Sequence, residues 1–110
     1  MYARIARFEG IDMGQIDDQV AEMKRQMDEG RSGDLPEGAP EQVRTLMGTV
    51  KRVLQFVDRE SGTAVGIVFC ETEEDMRRAD AALSEMSPGE GGGRRTSLEI
   101  YEVMLDESFA

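Results

Sequence analysis

An α+β domain running strand, helix, strand and then strand, helix, strand is the fold that this sequence of 110 residues predicts. Three observations predict it. Two stretches carry apolar residues at helical spacing, four carry them at strand spacing, and glycine- or proline-rich breaks separate them in that order.

Residues 2–8, YARIARF, alternate loosely, with Ala3 and Ile5 on one parity and Tyr2, Ala6 and Phe8 on the other, so a strand starts almost at once. From 13 to 29 the period lengthens. Ile16, Val20, Met23 and Met27 form one stripe, while Asp17, Asp18, Glu22, Lys24 and Arg25 take the other faces of a helix. Asp12 is its predicted N-cap and Gly30 its predicted stop. Methionine serves in this helix as a flexible core filler. Residues 30–40, GRSGDLPEGAP, have no period and form a loop, followed by a short helical turn at 41–47.

Two apolar runs, RVLQFVD at 52–58 and TAVGIVFCE at 63–71, flank RESG, whose glycine suits the positive-φ position of a hairpin loop. Closing that loop between Asp58 and Thr63 pairs Val57 with Ala64, Phe56 with Val65, Leu54 with Ile67 and Arg52 with Phe69, and sets Gln55 opposite Gly66. Thr72, three residues before Asp75, predicts a capped second helix with Met76, Ala79, Leu83 and Met86 in its stripe. SPGEGGGRR at 87–95 is a second loop. TSLEIYEVML at 96–105 is a last strand, apolar on both parities. Residues 1–110 therefore read as a single domain with loops at 30–40 and 87–95.

This order is the ferredoxin-like split βαβ arrangement, βαββαβ: a four-stranded antiparallel sheet with two helices on one face. The bulky set Leu54, Phe56, Val65, Ile67 and Phe69 is expected to face the helices, leaving Val53, Val57, Ala64, Val68 and Cys70 on the other side. An antiparallel sheet with one wet face alternates apolar and polar residues, and here both parities are apolar. The second face therefore needs a cover, either the 30–40 loop or another copy of the chain, and of these a two-fold partner buries a self-complementary patch most simply. Val53, Val57 and Val68 become the expected homodimer interface. Arg4 and Gln55 fall on the same side, where a polar group must find a partner. With Tyr101, which either face could hold, they are the candidate ligand-binding residues, Arg4 and Gln55 having hydrogen bonds across the dimer as their alternative use.

Three stretches, VDRESG at 57–62, VFCETEEDM at 68–76 and RRTSLEIYEV at 94–103, resemble the dimeric α+β barrels related to antibiotic-biosynthesis monooxygenases. The resemblance covers most of the chain, from first strand to last. It implies a dimeric α+β barrel: a homodimer with two sheets facing each other and a small-molecule cavity between sheet and helices in each subunit. The family's cofactor-free oxygenases and haem-degrading members use Asn, Trp and His, and this chain contains none of the three, so no catalytic residue carries over.

Other chemistries fall to composition. A net charge of −10 repels polyanions and anionic membranes. RNA-recognition motifs read much like residues 61–83, but when their last aromatic is placed on Phe69 the two base-stacking positions fall on Ala64 and Gly66, so no nucleic-acid partner is expected. One cysteine and no histidine leave only carboxylates for a metal, and no metal site or cofactor is expected. GEGGGRR lacks a phosphate-loop Lys-Ser/Thr and precedes a strand. ETEED at 71–75 reads as acids favouring a helix N-terminus. A lone Cys70 agrees with a reducing, cytoplasmic setting, and no apolar run approaches the roughly 20 residues of a membrane span. The expected function is a homodimer that binds a small apolar or aromatic molecule without catalysis. Its alternatives are a cofactor-independent monooxygenase acting on an aromatic or polyketide-like compound, and an accessory module that binds another protein through its acidic surface.

Overall fold

The computed structural model describes residues 1–33, 37–86 and 93–109. Strands β1 (Tyr2–Glu9), β2 (Val50–Asp58), β3 (Thr63–Cys70) and β4 (Arg94–Glu102) form one antiparallel sheet in the order β2-β3-β1-β4. Three helices accompany it, α1 (Ile16–Arg31), α2 (Glu41–Thr49) and α3 (Glu73–Glu85), one more than the two expected. The turn expected at 41–47 extends into the nine residues of α2, with Thr49 wholly buried and its hydroxyl donating to the Thr45 carbonyl at 2.8 Å. The loop expected at 30–40 loses Gly30 and Arg31 to α1, the loop expected at 87–95 loses Arg94 and Arg95 to β4, and residues 34–36 and 87–92 lie outside the described residues.

The β2–β3 hairpin has the register that the sequence predicts, with Val57 opposite Ala64, Phe56 opposite Val65, Leu54 opposite Ile67, Arg52 opposite Phe69 and Gln55 opposite Gly66. Gly62, at φ 71°, takes the left-handed position of the loop, and its N–H donates to Asp58 O at 3.1 Å. At α3, Thr72 is the N-cap, its hydroxyl accepting from Asp75 N at 3.1 Å, while Glu73, Glu74 and Asp75 place negative charge at the positive end of the helix dipole.

The ends of α1 differ from expectation for reasons local to each. Asp12 is spent on a turn just before the helix, accepting from Gly14 N at 2.9 Å and from Gln15 Nε2 at 3.0 Å, so helical geometry begins at Ile16. Gly30 does not stop α1. It lies inside the last turn against Met47 of α2, whose sulfur occupies the space a β-carbon would need. The chain turns instead at Gly33, at φ 82°.

Which sheet face the helices cover is the reverse of what bulk suggests. Residues opposite one another in antiparallel register share a face. Cys70, Met76 and Ala79 form the buried cluster, with Tyr2, Leu46, Val50 and Val68 packed on it, so Val68 and Cys70 point toward the helices. Val53 is opposite Val68 and Val57 opposite Ala64, and both point the same way. The uncovered face carries Ile5, Leu54, Phe56, Val65, Ile67 and Phe69. The physical reason is volume: α3 brings Met76 down onto the sheet, and the sheet leaves room for it with Ala6, Ala64, Gly66 and Cys70.

A pair of neighbouring substitutions checks this assignment. Val68→Asp, which puts a charge under α3, is expected to lose roughly 3 kcal/mol or more and its native far-UV circular dichroism. Ile67→Asp keeps the native spectrum. The opposite pattern would show that the helices lie on the other face.

Candidate functional site

β1 and α3 meet at the one charged side chain that the fold buries among its described residues. Arg4 is 5% exposed and its Nε donates to Asp80 Oδ1 at 2.8 Å. Arg4 stands opposite Val68 in β3 and Ile100 in β4, which places the guanidinium in the middle of the helix-covered face. Asp80 lies one residue after Ala79 on α3, at the border of the helix's buried stripe, where its carboxylate still reaches water. A buried guanidinium with a half-wet carboxylate is a positioning device: through the Nε bond it ties α3 to the sheet.

Gln55 shares this face. It is half-buried opposite Gly66, and its Oε1 lies 3.3 Å from where a β-carbon of Gly66 would stand, so the glycine gives the amide room to cross the sheet. Arg4 and Gln55 were expected among the apolar residues of the uncovered face; the structure sets both under the helices, flanking the small floor of Ala6 and Gly66. Tyr101 is on the opposite face, opposite Ala3, half-exposed, with its hydroxyl donating to the Glu99 carboxylate. The three candidate ligand groups therefore do not converge. Val53, Val57 and Val68, expected at the dimer interface, are half-buried on the helix side.

Two reactive side chains can be judged by their surroundings. Cys70 is wholly buried, and burial, with the nearby Asp75 carboxylate, pushes its thiol above the ordinary range; Lys51 opposes this more weakly. The hydrogen bond to Glu99 raises the Tyr101 phenol in the same sense. Neither is poised as a base near neutral pH. Among the described residues, no cluster of three or more His, Cys, Asp or Glu is arranged to hold a metal ion, and no helix is long and apolar enough to cross a membrane.

Two open clefts remain. One, of about 280 Å³, lies beside the start of α3 and is walled by Tyr2, Met76, Ile100 and Tyr101 and rimmed by Glu73, Arg77 and Glu102. The other, of about 410 Å³, lies at the hairpin end and is lined by Arg7, Phe56, Val57, Asp58, Ser61, Thr63 and Val65. Of these walls, sequence reasoning singled out Tyr101 as a ligand group and Val57 as an interface residue. The available signal was Arg7, a cation on the apolar Ala3–Ile5 parity of β1. No protein-family model matches the chain, and no curated protein sequence matches it.

Removing one partner of the Arg4–Asp80 pair tests its role. Asp80→Ala strands a buried guanidinium and is expected to cost roughly 2–4 kcal/mol in urea unfolding, below the most severe cases because Asp80 is partly in water. Arg4→Met, which removes the buried charge and keeps the volume, costs less than Asp80→Ala. Equal losses would mean that packing and not charge pairing dominates. For Cys70, a disulfide-exchange reagent at pH 8 is expected to leave the folded protein unlabelled over the time in which unfolded chain reacts fully.

Proposed function

We propose that this chain is a non-catalytic homodimeric binding protein with a ferredoxin-like arrangement, in which the uncovered sheet faces of two copies meet as in a dimeric α+β barrel. The observation that carries the assembly is the composition of that face. Ile5, Leu54, Val65, Ile67 and Phe69 are half-buried around one another, and Phe56 is 51% exposed, a bulky apolar surface that one copy leaves facing water. Its rim is polar, with Arg52 stacked over the Phe69 ring at 5.8 Å on one edge and Glu99 on the other. An apolar centre with a charged rim is the anatomy of a protein interface.

The ligand reading rests on the cleft beside α3. Four of its walls are apolar or aromatic, Tyr2, Met76, Ile100 and Tyr101, and its rim offers two carboxylates and the guanidinium of Arg77, which is held by Glu73. That suits a small apolar or aromatic molecule with one polar end. The cleft is at the Tyr2 end of the sheet beside α3, with Tyr101 its one wall from the face that the dimer would cover. Binding without turnover is favoured because the thiol and the phenol are both driven toward their protonated forms.

Light scattering is expected to give twice the chain mass, and Ile67→Asp to give a folded monomer; a monomeric unmodified protein refutes the dimer. The melting temperature of the unmodified protein should rise with protein concentration, since dimerisation stabilises the folded state by mass action. Oxygen uptake with phenolic polycyclic substrates is expected to stay at the uncatalysed rate. Uptake that scales with protein and saturates with substrate would instead establish the oxygenase.

A further inference from the structure

We infer that segment 103–109 of one copy docks in the Arg7 cleft of a second copy, Glu107 meeting the guanidinium and Phe109 packing on Phe56. This deepens the proposed dimer and rests on it. Past β4 the backbone makes one more ladder bond, from Val103 N to Met1 O at 2.9 Å, and then continues without a partner. Met104 is 86% exposed, Leu105 78% and Phe109 98%. Three large apolar side chains standing in water along one segment, with Asp106 and Glu107 between them, form a binding segment without its groove.

The cleft has the complementary chemistry. Arg7 is exposed and its guanidinium pairs with no carboxylate among the described residues, although most other arginines of the chain are engaged. Asp58, the acid of the cleft, is already held by the amides of Glu60 at 3.1 Å and Ser61 at 3.4 Å. Ser97, the strand partner of Arg7, carries the one buried side-chain nitrogen or oxygen without a hydrogen bond among the described residues. A cation unpaired among the described residues, with an exposed ring lining the same cleft, calls for an acidic, aromatic occupant.

Geometry selects the partner's segment over the chain's own. Arg7 and Ser97 lie at the hairpin end of the sheet, and the ladder bond at Val103 sends the segment off the opposite end. A two-fold axis lying between the sheets and crossing the strands exchanges those ends and keeps the strand order in place, so the partner's residue 103 emerges above the hairpin end of this copy's β4, next to Arg7 on β1. Seven extended residues span at most about 25 Å, more than the roughly 14 Å across the three strand spacings from β4 to Phe56 on β2. In extended backbone Val103, Leu105, Glu107 and Phe109 share the parity of Tyr101, which is that of the uncovered face, so Glu107 and Phe109 arrive on the same side.

Sedimentation equilibrium on full-length variants tests this. Arg7→Glu is expected to weaken dimerisation about tenfold or more, as is Glu107→Arg, and combining the two restores much of the loss. Phe109→Ser weakens it independently of charge. A photo-reactive phenylalanine at 109 should link two chains through the 56–65 hairpin. A dimer that Ile67→Asp breaks, but that none of these changes affects, overturns the docked segment and leaves the dimer standing. A monomeric unmodified protein overturns both, and a cross-link confined to one chain overturns the choice of partner.

Discussion

Arg4 is a charged residue in the middle of the helix-covered face, and the architecture of that face is arranged around keeping it paired. A guanidinium cannot be left dry and alone, so α3 has to present Asp80 to it at 2.8 Å. With Asp80 aimed at β1, the helix turns Met76, Ala79 and Ala82 inward, and those residues bury against β1 and β3. The sheet can accept them only if its own side chains are small, which is where Ala6, Ala64, Gly66 and Cys70 fall. The bulk that the strands carry is then displaced to the other face. Core, floor and uncovered surface follow from one pairing and the volume it demands.

That chain of consequence explains what was legible in the residues. The hairpin register, the Thr72 cap, the order of elements and the acids at the start of α3 are local, each set by neighbours within a few positions. The direction of each strand face is not local. Period-two alternation separates Leu54, Phe56, Ile67 and Phe69 from Val53, Val57, Val68 and Cys70, but it does not say which set the helices cover. Bulk suggested the former set, because large apolar residues normally fill cores. The deciding signals were Arg4, which needs a helix-borne acid, and the run of small residues that shares its parity. Neither is visible without pairing β1 to β3.

The same reversal separates the candidate site residues. Arg4 and Gln55 share a face as their parities require, but it is the packed one, and Arg4 is committed to Asp80. Tyr101 sits across the sheet with Glu99. The ends of α1 escaped for a simpler reason. Asp12 has the chemistry of a cap and uses it on a turn one step earlier, while Gly30 looks like a stop and serves as a close-approach point for Met47.

The buried core is small for the length of chain. Apart from Ile16 and Met76, its fully buried apolar residues are alanines and one cysteine, whereas Phe56, Ile100, Tyr101 and Met23 are each more than two-fifths exposed. Alanine buries little area, and at about 25 cal/mol per Å² the larger contributions here belong to side chains that one copy leaves partly wet. A short domain of this kind gains from a second layer of structure. The bulky face of the sheet is continuous across β2, β3 and β1 and offers an apolar surface for that purpose. The proposed dimer therefore supplies the layer that the helices supply on the other side, and the fold and its assembly become two solutions to one problem: a sheet apolar on both faces.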